Sequence, residues 1–201
     1  MEDHPGFATD LLFDRYQGEV TDHDAFWTVR TPGSPDYYFG NYLLLPTPPS
    51  DRDKGWLEAS FDRLIGWDPR IRHRTFQWPL AAGQNSRVAG FVAAGYQYME
   101  CVVLALGAME WQAPTGSDLT PARPFTAADW DQWLAFELAE RDPAHSEERY
   151  LPYLLSRRQL YQAMIDDGLG QWWGLWHQDQ LVASCGLFFT GTLGRFQLVR
   201  T

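Results

Sequence analysis

Apolar side chains recur in this chain at two spacings, every second residue and every third to fourth, and the switches between them delimit the elements. Residues 25–30 and 37–45 are rich in aromatic and aliphatic side chains and are flanked by Pro, Gly and Asp, which predicts two strands. In residues 55–65, Trp56, Leu57, Phe61, Leu64 and Ile65 share one helical face. Residues 71–78 alternate as a strand, 85–94 read as a helix stopped by Gly95, and 98–106 form an apolar, strand-like run. The predicted order is β-β-α-β-α-β.

Further on, helices come first. Thr126 is a good N-cap with Asp129 three positions later, and Trp130, Trp133, Leu134 and Leu138 continue at helical spacing. A second helix over about 148–166 presents Leu151, Leu154, Leu155, Tyr161, Met164 and Ile165, with Pro152 placed in its first turn and Gly168 after its end. Residues 171–177, 181–189 and 195–201 then predict three strands, joined by 178–180 and 190–194, lengths suited to hairpins. This half reads α-α-β-β-β, a helix pair leading into an antiparallel meander.

Between the halves lies a Pro-, Gly- and polar-rich segment, residues 112–124, which places a boundary near 117 and predicts domains 1–116 and 117–201. A second Pro-rich stretch, 46–50, reads as a strand-to-helix turn. The length of 201 residues is enough for a substantial core, and 45% hydrophobic with 21% charged residues is ordinary globular composition.

Charge narrows the partners. Sixteen Lys and Arg against 26 Asp and Glu leave a net charge of −10, a field that repels nucleic-acid backbones and anionic lipid surfaces, so neither partner is expected. Lys54, the sole lysine, precedes Gly55 and Trp56, which excludes a Walker-type phosphate loop. Cys101 and Cys185 each sit in an apolar run and read as isolated buried thiols, with neither a disulfide framework nor a zinc site. The chain opens with MEDH, without a basic, apolar leader, and contains no apolar stretch long enough to span a bilayer, so the cytoplasm is the expected compartment.

Two helices leading into three strands, with the phrase WGLWHQDQLVASCGL from Trp173 to Leu187, resemble the opening half of a GCN5-related N-acetyltransferase over residues 121–201. The resemblance implies an α+β fold with a mostly antiparallel central sheet flanked by helices, acetyl-CoA as co-substrate, no metal, and a small-molecule amine as acceptor. The strand GRFQLVRT at 194–201 is similar to the family's fourth strand, so Leu198 and Val199 would present backbone N–H groups to the thioester carbonyl and the pantetheine arm. In the family a glycine-rich loop after that strand cradles the cofactor pyrophosphate. The sequence stops at Thr201, where the loop would begin. The resemblance therefore implies an acyl-CoA-dependent N-acetyltransferase whose second unit is truncated and binds acetyl-CoA weakly, and it leaves open whether the 201-residue product is active.

The earlier half is similar to the closing half of the same fold, through RHRTFQWP at 72–79, NSRVAGFVAAGY at 85–96 and MECVVLAL at 99–106. Four residues before the helix-ending Gly95, where the family usually carries a proton-donating Tyr, stands Phe91, and a phenyl ring donates no proton. Its counterpart of the phosphate loop, TPPSDRDKGW at 47–56, is a poor anion cradle. The implied arrangement is a degenerate unit followed by the beginning of another, and the competing expectation is a non-catalytic interaction or regulatory module built from such halves.

The remaining candidates have plainer explanations. Glu137, Glu140, Asp166 and Asp167 are possible bases, for which a solvated helix face accounts. Asp179 shapes a hairpin turn. His73 and His177 fall in predicted strands as half-buried imidazoles, no His pair has metal-ligand spacing, and Ser184 lacks the Gly-x-Ser-x-Gly setting of a hydrolase nucleophile. The ten Trp include Trp130, Trp133 and Trp172 at core-compatible positions. An edge at strand 195–201 predicts either cover by the strand at 71–78 or association of two chains through that edge.

Overall fold

Asn41–Leu44 (β3) is buried along its whole length, and the first half of the chain is built around it. The computed structural model describes residues 4–81, 83–107, 121–143 and 146–201. In it β3 pairs antiparallel with Trp27–Arg30 (β2), β2 pairs antiparallel with Glu19–Asp22 (β1), and β3 pairs parallel with Phe76–Gln77 (β4). Pro5–Gln17 (α1) covers one face, with Phe7 and Leu11 against Val29, Tyr42 and Leu44. Lys54–Leu64 (α2) and Ala89–Ala93 (α3) cover the other, where Leu43 and Leu45 meet Leu57, Phe61, Ile65 and Phe91. The alternation along β3 thus feeds two small cores. The parallel step from β3 to β4 needs the crossover that α2 supplies.

The second half holds a four-stranded sheet in the order Arg123–Pro124 (β5), Gly170–His177 (β6), Gln180–Thr190 (β7), Leu193–Arg200 (β8), every neighbouring pair antiparallel. Asp129–Ala139 (α4) and Glu147–Asp166 (α5) pack on one face. Trp133, Leu154, Tyr161, Met164, Trp172 and Phe188 are essentially sealed from solvent there. The Trp172 ring lies 5.7 Å from Trp133, 5.5 Å from Trp130 and 4.7 Å from Tyr161. Glycine makes room for it: a Cβ at Gly186 would stand 2.7 Å from the indole. The chain is therefore α+β, in two compact units, Met1–Leu104 and Ala105–Thr201. The boundary expected near residue 117 lies outside the described residues.

Several expectations are corrected. The first half begins with α1 and β1, neither of which the spacing revealed, and its order is α-β-β-β-α-β-α. Within 37–45, residues Tyr38–Gly40 form a short 3-10 turn, because the Asn41 side chain accepts from Thr31 N and donates to the carbonyls of Ser34 and Tyr37, curling the chain before β3 starts. The strand at 71–78 shrinks to β4, and the helix at 85–94 to α3. Residues 98–106 are in no strand: Val102 and Leu104 are 82% and 90% exposed. Apolar composition favours a ladder, yet a ladder needs a partner edge, and β4 offers only two residues. Trp56 lies half in solvent beside Phe26 rather than in the helix core. Pro152 falls in the second turn of α5, since that helix starts at Glu147. The expected pairing of the strand at 71–78 with β8 is absent from both sheets: β4 pairs with β3, and β8 stands last in its sheet among the described residues. Cys101 is exposed and Cys185 half-buried. No helix among the described residues is long and apolar enough to cross a membrane.

Candidate functional site: a bulge in the last strand

β8 runs in regular register with β7 from Thr190↔Leu193 to Gly186↔Gln197, and then the register jumps to Ser184↔Arg200. Cys185 on β7 therefore faces two residues on β8, Leu198 and Val199. This is a β-bulge, which leaves an extra residue outside the ladder and re-aims the side chains beyond it. Leu198 adopts φ 46°, a left-handed conformation that costs a residue with a Cβ about 1–2 kcal/mol. Such strain persists only where the surroundings over-determine it.

The bulge changes which side chains face the helices. Gln197 points inward, donating to the Tyr161 hydroxyl at 3.1 Å. Strict alternation would send Arg200, three residues on, to the opposite face. The extra residue restores Arg200 to the helix side, where its Nε comes within 3.4 Å of Glu137 Oε2. Val199 is left 64% exposed.

Glu137 sits one turn after Trp133 on α4 and is 1% exposed. Neither of its carboxylate oxygens has a hydrogen-bond partner among the described residues, and the same holds for Arg200 Nε and the buried Ser184 hydroxyl. Burial raises the Glu137 carboxyl above its usual range, with the Arg200 charge opposing. Across from it on α5, Tyr150 and Tyr153 are both raised, first by burial, with the Glu137 charge adding to each. The Arg157 guanidinium lies over the Tyr153 ring at 5.6 Å. Burial also raises the Cys185 thiol opposite the bulge.

The sequence candidates divide cleanly. Leu198 and Val199 form the bulge, and Glu137 is brought beneath it; a solvated face does not account for Glu137, which is a correction. Glu140, Asp166 and Asp167 are exposed. Asp166 lies 16 residues past Tyr150 on α5, about 24 Å along the axis at 1.5 Å per residue. Asp179 does shape its turn: Gln178 and Asp179 have φ 48° and 64°, the paired positive values of a two-residue type I′ hairpin. His177 is exposed at the end of β6 rather than half-buried. His73 precedes β4 in irregular chain and contacts Asn41 O at 3.2 Å, with burial lowering its pKa. Tyr150, Tyr153 and Arg200 were missed. The signal for Glu137 was present: Trp130, Trp133 and Glu137 fall at i, i+3 and i+7, so the carboxylate stands on the core stripe.

In the first unit, the loop before α2 uses its own carboxylates on nearby backbone donors. Asp53 accepts from Ser50 N and Oγ, each at 2.8 Å, and Asp51 accepts from Gly90 N at 2.7 Å. Carboxylates thus occupy donors that could serve an anion. Phe91 is buried between Phe76 and Tyr96, and the Tyr96 hydroxyl is committed to Glu58 at 2.9 Å. Among the described residues no group of three or more His, Cys, Asp or Glu is placed to hold a metal ion.

No protein-family model matches the chain, and no curated protein does either. A solved structure is similar to it: the crystal structure of a functionally unknown conserved protein from Staphylococcus epidermidis ATCC 12228, at 12% identity and a TM-score of 0.66 over 92% of this chain and 71% of that one. At that identity the likeness shows a shared fold.

Proposed function

We propose that the chain is an acyl-CoA-dependent N-acetyltransferase of the GCN5-related type, with its acyl site at the bulge of β8 and a small-molecule amine as acceptor. The observation that carries this reading is the bulge itself, which falls at Leu198 and Val199, the two residues expected to offer backbone N–H groups to the thioester. A regular strand spends its N–H groups on its neighbour, whereas a bulge releases them for a developing oxyanion. In the reaction the amine nitrogen attacks the thioester carbonyl carbon, a C–N bond forms, the C–S bond breaks, and the proton lost by nitrogen ends on the CoA sulfur. The helix pair α4 and α5 leading into the meander β6, β7, β8 supports the same reading. So does the first unit, where a meander, a crossover helix and a parallel strand follow one another as they do later in that fold.

The test is a titration of isotopically labelled protein with acetyl-CoA, followed by release of free CoA thiol in the presence of primary amines. Shifts centred on the Leu198 and Val199 amides support the reading; unperturbed amides there at millimolar acetyl-CoA overturn it. A second reading, a non-catalytic interaction or regulatory module, is favoured by Phe91 and by the carboxylates filling the loop at 47–56. Acetyl-CoA binding without thiol release for any amine selects that second reading.

A further inference from the structure

We propose that Glu137 is the positioning residue of this acyl site, holding the bulge of β8 in its left-handed conformation through Arg200. The proposal rests on the acetyltransferase reading for its purpose, and on geometry alone for its mechanics.

β8 is secured unevenly. Before the bulge five ladder pairs tie residues 193–197 to β7, while beyond it only Ser184↔Arg200 remains. The strained Leu198 therefore has a firm anchor on one side and a single ladder pair on the other. The second anchor is the side chain of Arg200 against Glu137 at 3.4 Å. Its other end is fixed to a rigid base, since Trp130 and Trp133 lock α4 into the aromatic core, and Asp129 ties its start to Thr126 and Arg123. A carboxylate that is 1% exposed and leans on the Arg200 guanidinium is a costly group to keep. Removing one partner of a buried pair leaves the other charge uncompensated and weakens the fold as a whole, so a positioning role shows as loosening at the bulge beyond that shared loss.

Among the described residues, the groups that act on Glu137 are Arg200 from β8 and Glu140 from its own helix, with Tyr150 and Tyr153 of α5 facing it and the Arg157 charge reaching Tyr153. Protonating Glu137 removes the charge that holds Arg200. Because burial raises that carboxyl, the release comes at a milder acidity than for a surface glutamate. The acyl site is thus expected to loosen as pH falls, while the remainder of the sheet holds.

Two substitutions and one titration test this. In Glu137→Gln and Arg200→Gln, the backbone amide at position 200 should exchange about tenfold faster than in the parent, over and above any change shared by the Leu187 and Phe188 amides, which report the global loss. The φ-sensitive coupling of Leu198 should move toward extended values in both, and the double variant should add nothing further. The parent protein should reproduce the same loosening on acidification, and Glu137→Gln should not respond. Uniform acceleration throughout the sheet, or a Leu198 coupling indifferent to both substitutions, overturns the proposal. Acetyl-CoA titrations of the same proteins keep the two ideas apart. Local loosening in a protein whose bulge amides ignore acetyl-CoA leaves Glu137 as the anchor of the bulge and removes the transferase. Equal acetyl-CoA affinity in parent and loosened variants removes Glu137 from the acyl site.

Discussion

Individual side chains in the second unit are constrained most tightly around Trp172. Gly186→Ala places a methyl 2.7 Å from that indole and from the Phe188 ring, and neither has room to retreat. Overpacking of this kind costs about 1–3 kcal/mol, and calorimetric unfolding should show a midpoint lowered by several degrees. Removing the ring instead, as Trp172→Ala, should cost about 3–5 kcal/mol, measured by urea unfolding. These positions were half readable. Trp172 announces itself as core by size, but the glycine opposite it looks in sequence like any other small residue in a strand. The inward turn of Arg200 was not readable at all, because period-two alternation holds only until a bulge intervenes, and nothing in QLVR marks one.

Among the secondary-structure elements, α4 shows how a turn before a helix gains a pH response: Ala128 rather than the expected Thr126 holds the N-cap position, without a side-chain cap bond, and the Asp129 carboxylate reaches back instead. Asp129 accepts from Thr126 N and Oγ and pairs with both Arg123 terminal nitrogens at 2.8 Å. Hydrogen bonding to Arg123 first, and to Thr126 after it, holds its carboxyl well below the usual range. With the folded value below the unfolded one of about 3.9, the stabilisation is present above that pH and is lost as pH falls through the folded value. Asp129→Asn should therefore weaken the unit by about 1 kcal/mol at neutral pH, with the gap to the parent closing at strongly acidic pH in urea titrations. The Thr126 and Asp129 spacing was visible beforehand, although the roles are reversed, with Asp129 accepting from Thr126 and Thr126 capping nothing. So were α5 and the meander, whose periodicities are long and whose turns carry the right residues. α1 was not, because its buried positions include Gly6, Thr9 and Asp14, and a helix whose inner face is partly polar leaves little periodic signal. The Asp14 carboxylate is there to accept from the Tyr42 hydroxyl at 2.7 Å, a partner 28 residues away that no local window contains. Residues 98–106 err in the other direction, since their composition promises a strand while β4, the strand before them, offers only two residues to receive one.

For the molecule as a body, charge and sheet edges set the expected behaviour. The net charge of −10 opposes self-association at low salt, while β8 ends its sheet with Phe196 and Val199 67% and 64% exposed. Edges of this kind invite a further strand. Sedimentation velocity should therefore show a dimer that strengthens with added salt, and Phe196→Lys should abolish it; a monomer at every concentration and salt level rejects pairing through this edge. The α+β class and the meander of the second unit followed from spacing and turn chemistry. The two-sided burial of β3, and the site beneath the bulge, came only from contacts between residues far apart in the chain.

The aromatic cluster also gives the second unit its own optical signature. Trp130, Trp133 and Trp172 lie close together in a dry, mutually tilted arrangement and should emit at short wavelength, whereas Trp56 and Trp67 of the first unit are 51% and 61% exposed and should emit to the red. The blue edge of the emission should therefore report mainly on the buried cluster of the second unit as the chain unfolds, with the partly buried Trp27, Trp78, Trp173 and Trp176 contributing between the two extremes.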